Sequence, residues 1–217
     1  MSVLITGTST GIGKATAEKF ISMGYKVIGI DRNGSAIPEN DLYKHIVWDI
    51  TDICNIPKIE EPIEYLINNA GTQCENDIET NLKGAMLVTS EFGFQPSIKA
   101  IVNVASTSAH NGAEFPEYAA SKGGLLAYTK YAAQRVAEFG ATCNSISPGG
   151  VITDMNKHIL EDKHLYAQVL NETLLNKWAD AEEIADWIFF IAVINKSMTA
   201  QDIIIDNGEL SKFNFIW

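Results

Sequence analysis

Short apolar runs and stretches of helical periodicity alternate along this chain. Val3-Leu4-Ile5 leads into Thr6-Gly7-Thr8-Ser9-Thr10-Gly11-Ile12-Gly13, after which Ala15, Ala17, Phe20, Ile21 and Met23 recur at helical spacing until Gly24. Further strands are expected at Lys26–Ile30, Tyr43–Trp48, Tyr65–Ile67, Ala100–Val104, Cys143–Ile146 and Ile203–Ile205. Helical periodicity covers Asp77–Phe92, with Ile78, Leu82, Ala85, Met86 and Thr89 as its apolar stripe, then Tyr118–Phe139 and Ala181–Ala192. Gly34–Asn40 reads as a loop, and Asp52–Glu64 holds Pro57 and Pro62, so any helix between them is short. His158–Leu175 mixes polar and apolar residues and reads as a helical flap, with 154–176 as the segment covering a ligand. This alternation predicts an α/β fold, a Rossmann-type doubly wound parallel sheet of about seven strands with helices on both faces. No repeat or linker divides the chain, so 1–217 is expected to be one domain.

In such sheets ligands bind at the carboxyl ends of the strands. Gly7, Asp31, Asp49, Asn69, Ser106 and Pro148 all stand just after strands, and that convergence outweighs any single motif. The run from Gly7 to Gly13, with Ser9, Thr10, Gly11 and Ile12 between, is a glycine-rich turn from strand to helix. Glycines there let a pyrophosphate approach the backbone and rest on the N–H groups of the helix N-terminus. Asp31 lies about 20 residues further on, placed to accept from the ribose hydroxyls of an adenosine and to repel a 2′-phosphate. NAD is therefore expected over NADP. Arg32 could pair with that phosphate, and a solvated charge stacking on adenine is the better reading of it. Ile50, beside Asp49, is expected among the same contacts.

Tyr118 and Lys122 are four residues apart on the longest expected helix, one turn apart on one face. A free tyrosine titrates near pH ~10, and a neighbouring cation lowers that value towards useful acid–base chemistry. A hydroxyl from Ser106 could hold a substrate oxygen against the phenol. Such spacing also arises by chance in helices, so the surrounding motifs decide. His110 reads as a loop histidine rather than a base, and Cys74 as an inert thiol.

Composition narrows the classes further. The chain has 217 residues, 46% hydrophobic and 20% charged, which suits a globular domain, and its formal charge of −11 argues against nucleic acid or an anionic membrane as partner. Cys54, Cys74 and Cys143 have neither metal-ligand nor disulfide spacing, so no metal is expected and a reducing cytoplasm fits. The sequence shows no basic leader with a long apolar stretch, and no apolar run reaches the ~18 residues of a membrane span.

Taken in order, these residues resemble the short-chain dehydrogenase/reductase family over essentially the whole chain. The matching pieces are Thr6-Gly7-x-x-x-Gly11-Ile12-Gly13, Asn68-Asn69-Ala70-Gly71, Asn81, Ser106, Tyr118-x-x-x-Lys122 and Pro148-Gly149 with Thr153. The resemblance implies an NAD(P)-dependent oxidoreductase that moves hydride between NAD(H) and a secondary alcohol or ketone. It makes Tyr118 the general acid or base, Lys122 the partner of the nicotinamide ribose, and Ser106 the group that polarises the substrate oxygen. Asn81 would hold a water relaying protons from Lys122, Asn69, Ala70 and Gly71 would line the adenosine side, and Val151 and Thr153 would hold the carboxamide. A homodimer or homotetramer is implied, built on the Asn81–Phe92 and Tyr118–Phe139 helices. The chain is shorter than the family's usual length. The losses fall between Asp31 and Asn68, where they trim peripheral helices, and between Gly71 and Asn81, leaving the pocket more open or closed by a partner subunit. Ala200 replaces a usual glycine, with little consequence expected, and the aromatic residues Phe213, Phe215 and Trp217 suit either a pocket cover or an interface. Two other readings, a non-catalytic dinucleotide-binding scaffold and a nucleotide-sugar epimerase or dehydratase, are disfavoured by the intact Ser106, Tyr118, Lys122 and Asn81 and by chain length.

Overall fold

The computed structural model describes residues 1–113 and 115–213; Phe215 and Trp217 lie outside the described residues. The main sheet contains strands β1 (Ser2–Thr6), β2 (Lys26–Asp31), β3 (Tyr43–Val47), β4 (Tyr65–Asn68), β5 (Ala100–Val104) and β6 (Thr142–Pro148). A two-stranded ribbon of β7 (Val151–Ile152) and β8 (Ala179–Asp180) stands apart, and β9 (Asp202–Ile205) returns to the main sheet. The sheet runs β3-β2-β1-β4-β5-β6-β9, every pair parallel. The order turns about β1 and β4, the switch point at which doubly wound sheets open a crevice.

Alternate residues of the central strands feed two apolar layers, because strand side chains point to opposite faces. Val3 and Ile5 pack with Phe20, Ile67, Val102, Ile184 and Ile188 on one face, where helices α1 (Gly11–Ser22) and α7 (Ala181–Phe189) lie. Leu4 packs on the other with Leu66, Ile101, Leu125 and Val136, under α2 (Ala85–Phe92) and α4 (Pro116–Val136). The rings of Phe20 and Phe189 meet at 5.1 Å, tying α1 to α7. Helix α1 ends as expected at Gly24, whose φ of +81° suits glycine, with its N–H on the Ile21 carbonyl.

The expected strands all form, within two residues of their expected ends. Three local expectations change. Asp52–Glu64 contains turns and no helix, and 32–42 contains none either, so both connections that flank β3 are bare loops. The expected helix over Asp77–Phe92 begins as a π-helical stretch, Ile78–Gly84, and only then becomes α2. That wider turn rotates the buried face, so Val88 and Phe92 join Ala85 and Thr89 inside while Met86 is left 41% exposed. The flap becomes two short helices, α5 (Lys157–Glu161) and α6 (Lys163–Leu170), with Asp162 capping the second through the His164 and Leu165 N–H groups. Helix α3 (Ser108–Asn111) is a single turn following Ser106.

Candidate active site

A cavity of about 320 Å³ opens along the carboxyl ends of the strands, and nearly every residue chosen from the sequence lines it. Gly7, Thr10, Gly11 and Ile12 form its floor at the start of α1. Asp31, Arg32, Asp49 and Ile50 line the adenosine end, and Asn69, Ala70 and Gly71 the middle. Ser106, Tyr118 and Lys122 stand at the other end, with Pro148, Gly149, Val151 and Thr153 opposite.

The glycine turn is built for close approach. Gly7 has φ +77° and Gly11 φ +53°, and a Cβ on Gly13 would stand 1.9 Å from the Gly7 carbonyl oxygen. Gly13 thus does not line the cavity; it allows α1 to pack onto the strand end. Ser9 also lies behind the wall, its N–H donating to Asp31 Oδ2 at 3.0 Å and its hydroxyl to the Gly34 carbonyl at 2.9 Å. At Thr10 no side chain caps α1, and the first turn holds no acidic residue. The N–H groups there are left for an anion, so the residues present fit a dinucleotide pyrophosphate.

Asp31 lines the cavity and is held from both sides, by Ser9 N–H and by Asn33 N–H on Oδ1 at 2.9 Å, and each oxygen keeps capacity to accept a further hydrogen bond. Arg32 is taken up by Glu75, Nη2 to Oε2 at 3.4 Å, with both side chains mostly exposed.

At the end of the cavity that holds Ser106, Tyr118 and Lys122, burial dominates. Lys122 is 4% exposed and donates from Nζ to the Val104 carbonyl at 2.8 Å, with Nζ 5.6 Å from the Tyr118 ring centre. Desolvation lowers its pKa to about 8, against an upward pull from Asp77. Tyr118 is raised above the ordinary phenol range, chiefly by burial; the Ser106 hydroxyl works in the opposite sense and Asp77 adds to the rise. The expected net lowering is therefore not what the chain alone produces, because burial outweighs the groups around the phenol.

Asn81 differs from its expected place as well. It is buried off the cavity, its Oδ1 accepting from Thr72 N–H at 2.7 Å and its Nδ2 donating to the Thr72 carbonyl and to Ser121 Oγ, each at 3.0 Å. Its side chain clamps the loop after β4 to α4 through three hydrogen bonds, with one acceptor position of Oδ1 left over. His110, expected in a loop, lies in α3, with Nε2 2.8 Å from Asp202 Oδ2 and 3.3 Å from Ser147 Oγ, tying α3 to β6 and β9. Cys54 and Cys74 are exposed free thiols and Cys143 a buried one.

The sequence reading missed Ile30, Asn33, Trp48, Thr72, Thr80, Val104 and Ala105 of the lining, and reached Met155 and Asn156 only as part of 154–176. The strand-end rule could have supplied Trp48 and Val104, since each ends or follows a strand. Met155 and Asn156 sit in the flap, where nothing in the pattern separates inward from outward residues.

The model of the short chain dehydrogenase family matches residues 1–164. The chain belongs to the short chain dehydrogenase family. Its curated relatives include the 3-oxoacyl-(acyl-carrier-protein) reductase FabG of Salmonella typhimurium, 30% identical with 94% of this chain and 95% of that protein covered. The acetoacetyl-CoA reductase of Paracoccus denitrificans is 33% identical, with 87% and 89% covered. Among solved structures, a mutant 4-hydroxyisoleucine dehydrogenase complexed with NADH and succinate superposes with a TM-score of 0.87 at 24% identity, covering 99% of this chain and all of that one. This short chain dehydrogenase is thus an oxidoreductase with a Rossmann-like nucleotide-binding fold. Its described residues hold no helix long and apolar enough to cross a membrane, and no group of His, Cys, Asp or Glu able to hold a metal ion.

Proposed function

We propose that this oxidoreductase interconverts a secondary alcohol and its ketone with NAD(H) in preference to NADP(H), Tyr118 serving as general acid for reduction and general base for oxidation. The observation that carries the reading is the joining of Ser106, Tyr118 and Lys122 to the uncapped start of α1 by one continuous cavity. The nicotinamide supplies or accepts the hydride; the chain's own residues bind, orient and move the proton. Ser106 donates to the substrate oxygen and sets it against the Tyr118 hydroxyl, which gives up its proton as the carbonyl becomes an alkoxide. Lys122 would hold the nicotinamide ribose, and the positive charge of a bound oxidised nicotinamide would favour the phenolate of Tyr118. Val151 and Thr153 fix the carboxamide, and the Met155–Asn156 corner of 154–176 covers the substrate. Asn81 contributes by fixing the wall, its amide clamping Thr72 to Ser121.

NAD preference is supported by Asp31, whose carboxylate lines the cavity, can still accept from ribose hydroxyls and would repel a 2′-phosphate, and by Arg32 lying against Glu75. The curated relatives' names, 3-oxoacyl and acetoacetyl reductases, support a ketone substrate. The three free cysteines are consistent with the cytoplasm, and the exposed Met86 and Tyr131 on α2 and α4 with a homodimer or homotetramer. One experiment tests the reading: titrate NADH and NADPH by fluorescence into the wild type and Tyr118→Phe, then assay both on a ketone panel. Tighter NADH than NADPH in both proteins is expected, with turnover falling at least ~10²-fold in the variant. Full turnover by Tyr118→Phe would sink the mechanism, and tighter NADPH would sink the preference.

A further inference from the structure

The short loop between β4 and the π-helical turn is folded around a buried carboxylate. Asp77 is 1% exposed. Its Oδ1 lies 3.0 Å from Thr72 Oγ1, whose one proton is shared with the Glu75 carbonyl at 2.6 Å, and accepts from Glu75 N–H at 3.2 Å; its Oδ2 accepts from Cys74 N–H at 2.9 Å. Among the described residues no cation forms an ion pair with it. The neighbouring pairs, Arg32–Glu75 and Lys83–Glu79, lie at the surface and are closed on themselves. A fully buried carboxylate is costly to ionise unless polar groups or an opposite charge compensate it.

The opposite charge lies across the same loop. A Cβ on Gly71 would stand 3.5 Å from Lys122 Nζ and 2.9 Å from Asn81 Oδ1, so the lysine head rests against the backbone immediately before Thr72. Thr72 is the residue whose hydroxyl bonds Asp77, and whose amide and carbonyl are clamped by Asn81. Loop, carboxylate and ammonium thus form one buried assembly in which charges act through little water. The titratable groups facing Lys122 are Tyr118, one turn back on its own helix, and Asp77 from the loop. Those facing Asp77 are that pair and, on its own loop, Cys74 and Glu75, the latter turned out to Arg32. In keeping with this, Asp77 works against the burial that lowers Lys122 and with the burial that raises Tyr118.

We propose that Asp77 is the buried counter-charge of the Tyr118–Lys122 pair, a positioning residue that keeps the ammonium on Lys122 and the proton on Tyr118 and so favours carbonyl reduction near neutral pH. The inference rests on the acid–base role given to Tyr118 above. A negative charge stabilises the protonated form of both groups. Removing it must therefore let both lose their protons at lower pH, which eases alcohol oxidation and narrows the range in which the phenol can act as an acid.

The test reads Lys122 directly. Lysine-labelled protein is titrated by NMR, with the Lys122 signal assigned by its loss in Lys122→Met, in the wild type, Asp77→Asn, Asp77→Ser and Thr72→Val. Asn and Ser keep an acceptor for the loop N–H groups but carry no charge, so either serves if the other fails to fold. Thr72→Val removes the hydroxyl that the Glu75 carbonyl and Asp77 share and keeps the charge. The expected result is a Lys122 midpoint about one pH unit lower in the neutral variants and unmoved in Thr72→Val. The pH profile of alcohol oxidation should move down with it. An unmoved midpoint in both neutral variants overturns the proposal, as does an equal shift in Thr72→Val, which would assign the effect to loop shape. A shifted midpoint in a protein that turns over no alcohol or ketone upholds the counter-charge and places the failure in the reaction.

Discussion

Lys122 is a charge held where burial opposes it, and stability records that opposition. Its pKa falls from the ordinary 10.5 to about 8, so the folded chain binds this proton less tightly than the unfolded chain does. Folding is therefore penalised below about pH 8 and relieved as pH rises towards the unfolded value. Lys122→Met should raise stability at pH 7 by on the order of 1–3 kcal/mol while abolishing turnover, and the gain should shrink above pH 8. Thermal melts of both proteins at pH 7 and pH 9.5 check this; a variant no more stable at pH 7 would contradict it. The neighbouring residues were readable by type but not by state. Tyr-x-x-x-Lys announces a phenol near an ammonium, whereas the Val104 carbonyl that captures Nζ and the Asp77 carboxylate across the loop come from segments remote in sequence.

At the scale of elements, local pattern decided where strands and most helices form. It failed where a neighbour reshapes the turn. The π-helical stretch Ile78–Gly84 carries Asn81, clamped to Thr72 and Ser121, and Gly84, where a Cβ would come within 2.7 Å of Ile50. None of these constraints has a 3.6-residue period, so the apolar stripe wrongly placed Met86 inward. The turn into β9 holds a second surprise. Ala200 has φ +59° while its N–H donates to the Cys143 carbonyl at 2.7 Å, so the backbone is fixed in a region that a Cβ disfavours. The substitution for glycine is thus not neutral. Ala200→Gly should stabilise by about 1 kcal/mol, seen as a melting temperature higher by about 2–4 °C; an unchanged or lower value would refute the strain.

For the molecule as a whole, the missing helices around β3 leave the adenosine side of the sheet with bare loops, while α2 and α4 keep a face of exposed apolar residues. Met86 is 41% and Tyr131 52% exposed, and the Tyr128 and Tyr131 rings stack at 5.9 Å alongside. In the homodimer or homotetramer proposed above, this face is where copies would meet. Light scattering should give a dimer or tetramer for the wild type and a shift towards monomer for Met86→Glu combined with Tyr131→Glu. A monomeric wild type would place the interface reading in error.

The sequence by itself determined the strand–helix alternation, the glycine turn, the strand-end acid at Asp31 and the Ser106, Tyr118 and Lys122 set. Each depends on short-range periodicity or on a residue type that one backbone shape or one chemistry requires. Only the tertiary structure decided that Ser9 and Gly13 support the cavity from behind, that Asn81 is spent on the Thr72 backbone, and that Glu75 engages Arg32. It also decided that burial, not the lysine, governs the Tyr118 proton. These outcomes turn on desolvation and on contacts between segments far apart in the chain, quantities that exist only once the sheet has brought its strand ends together.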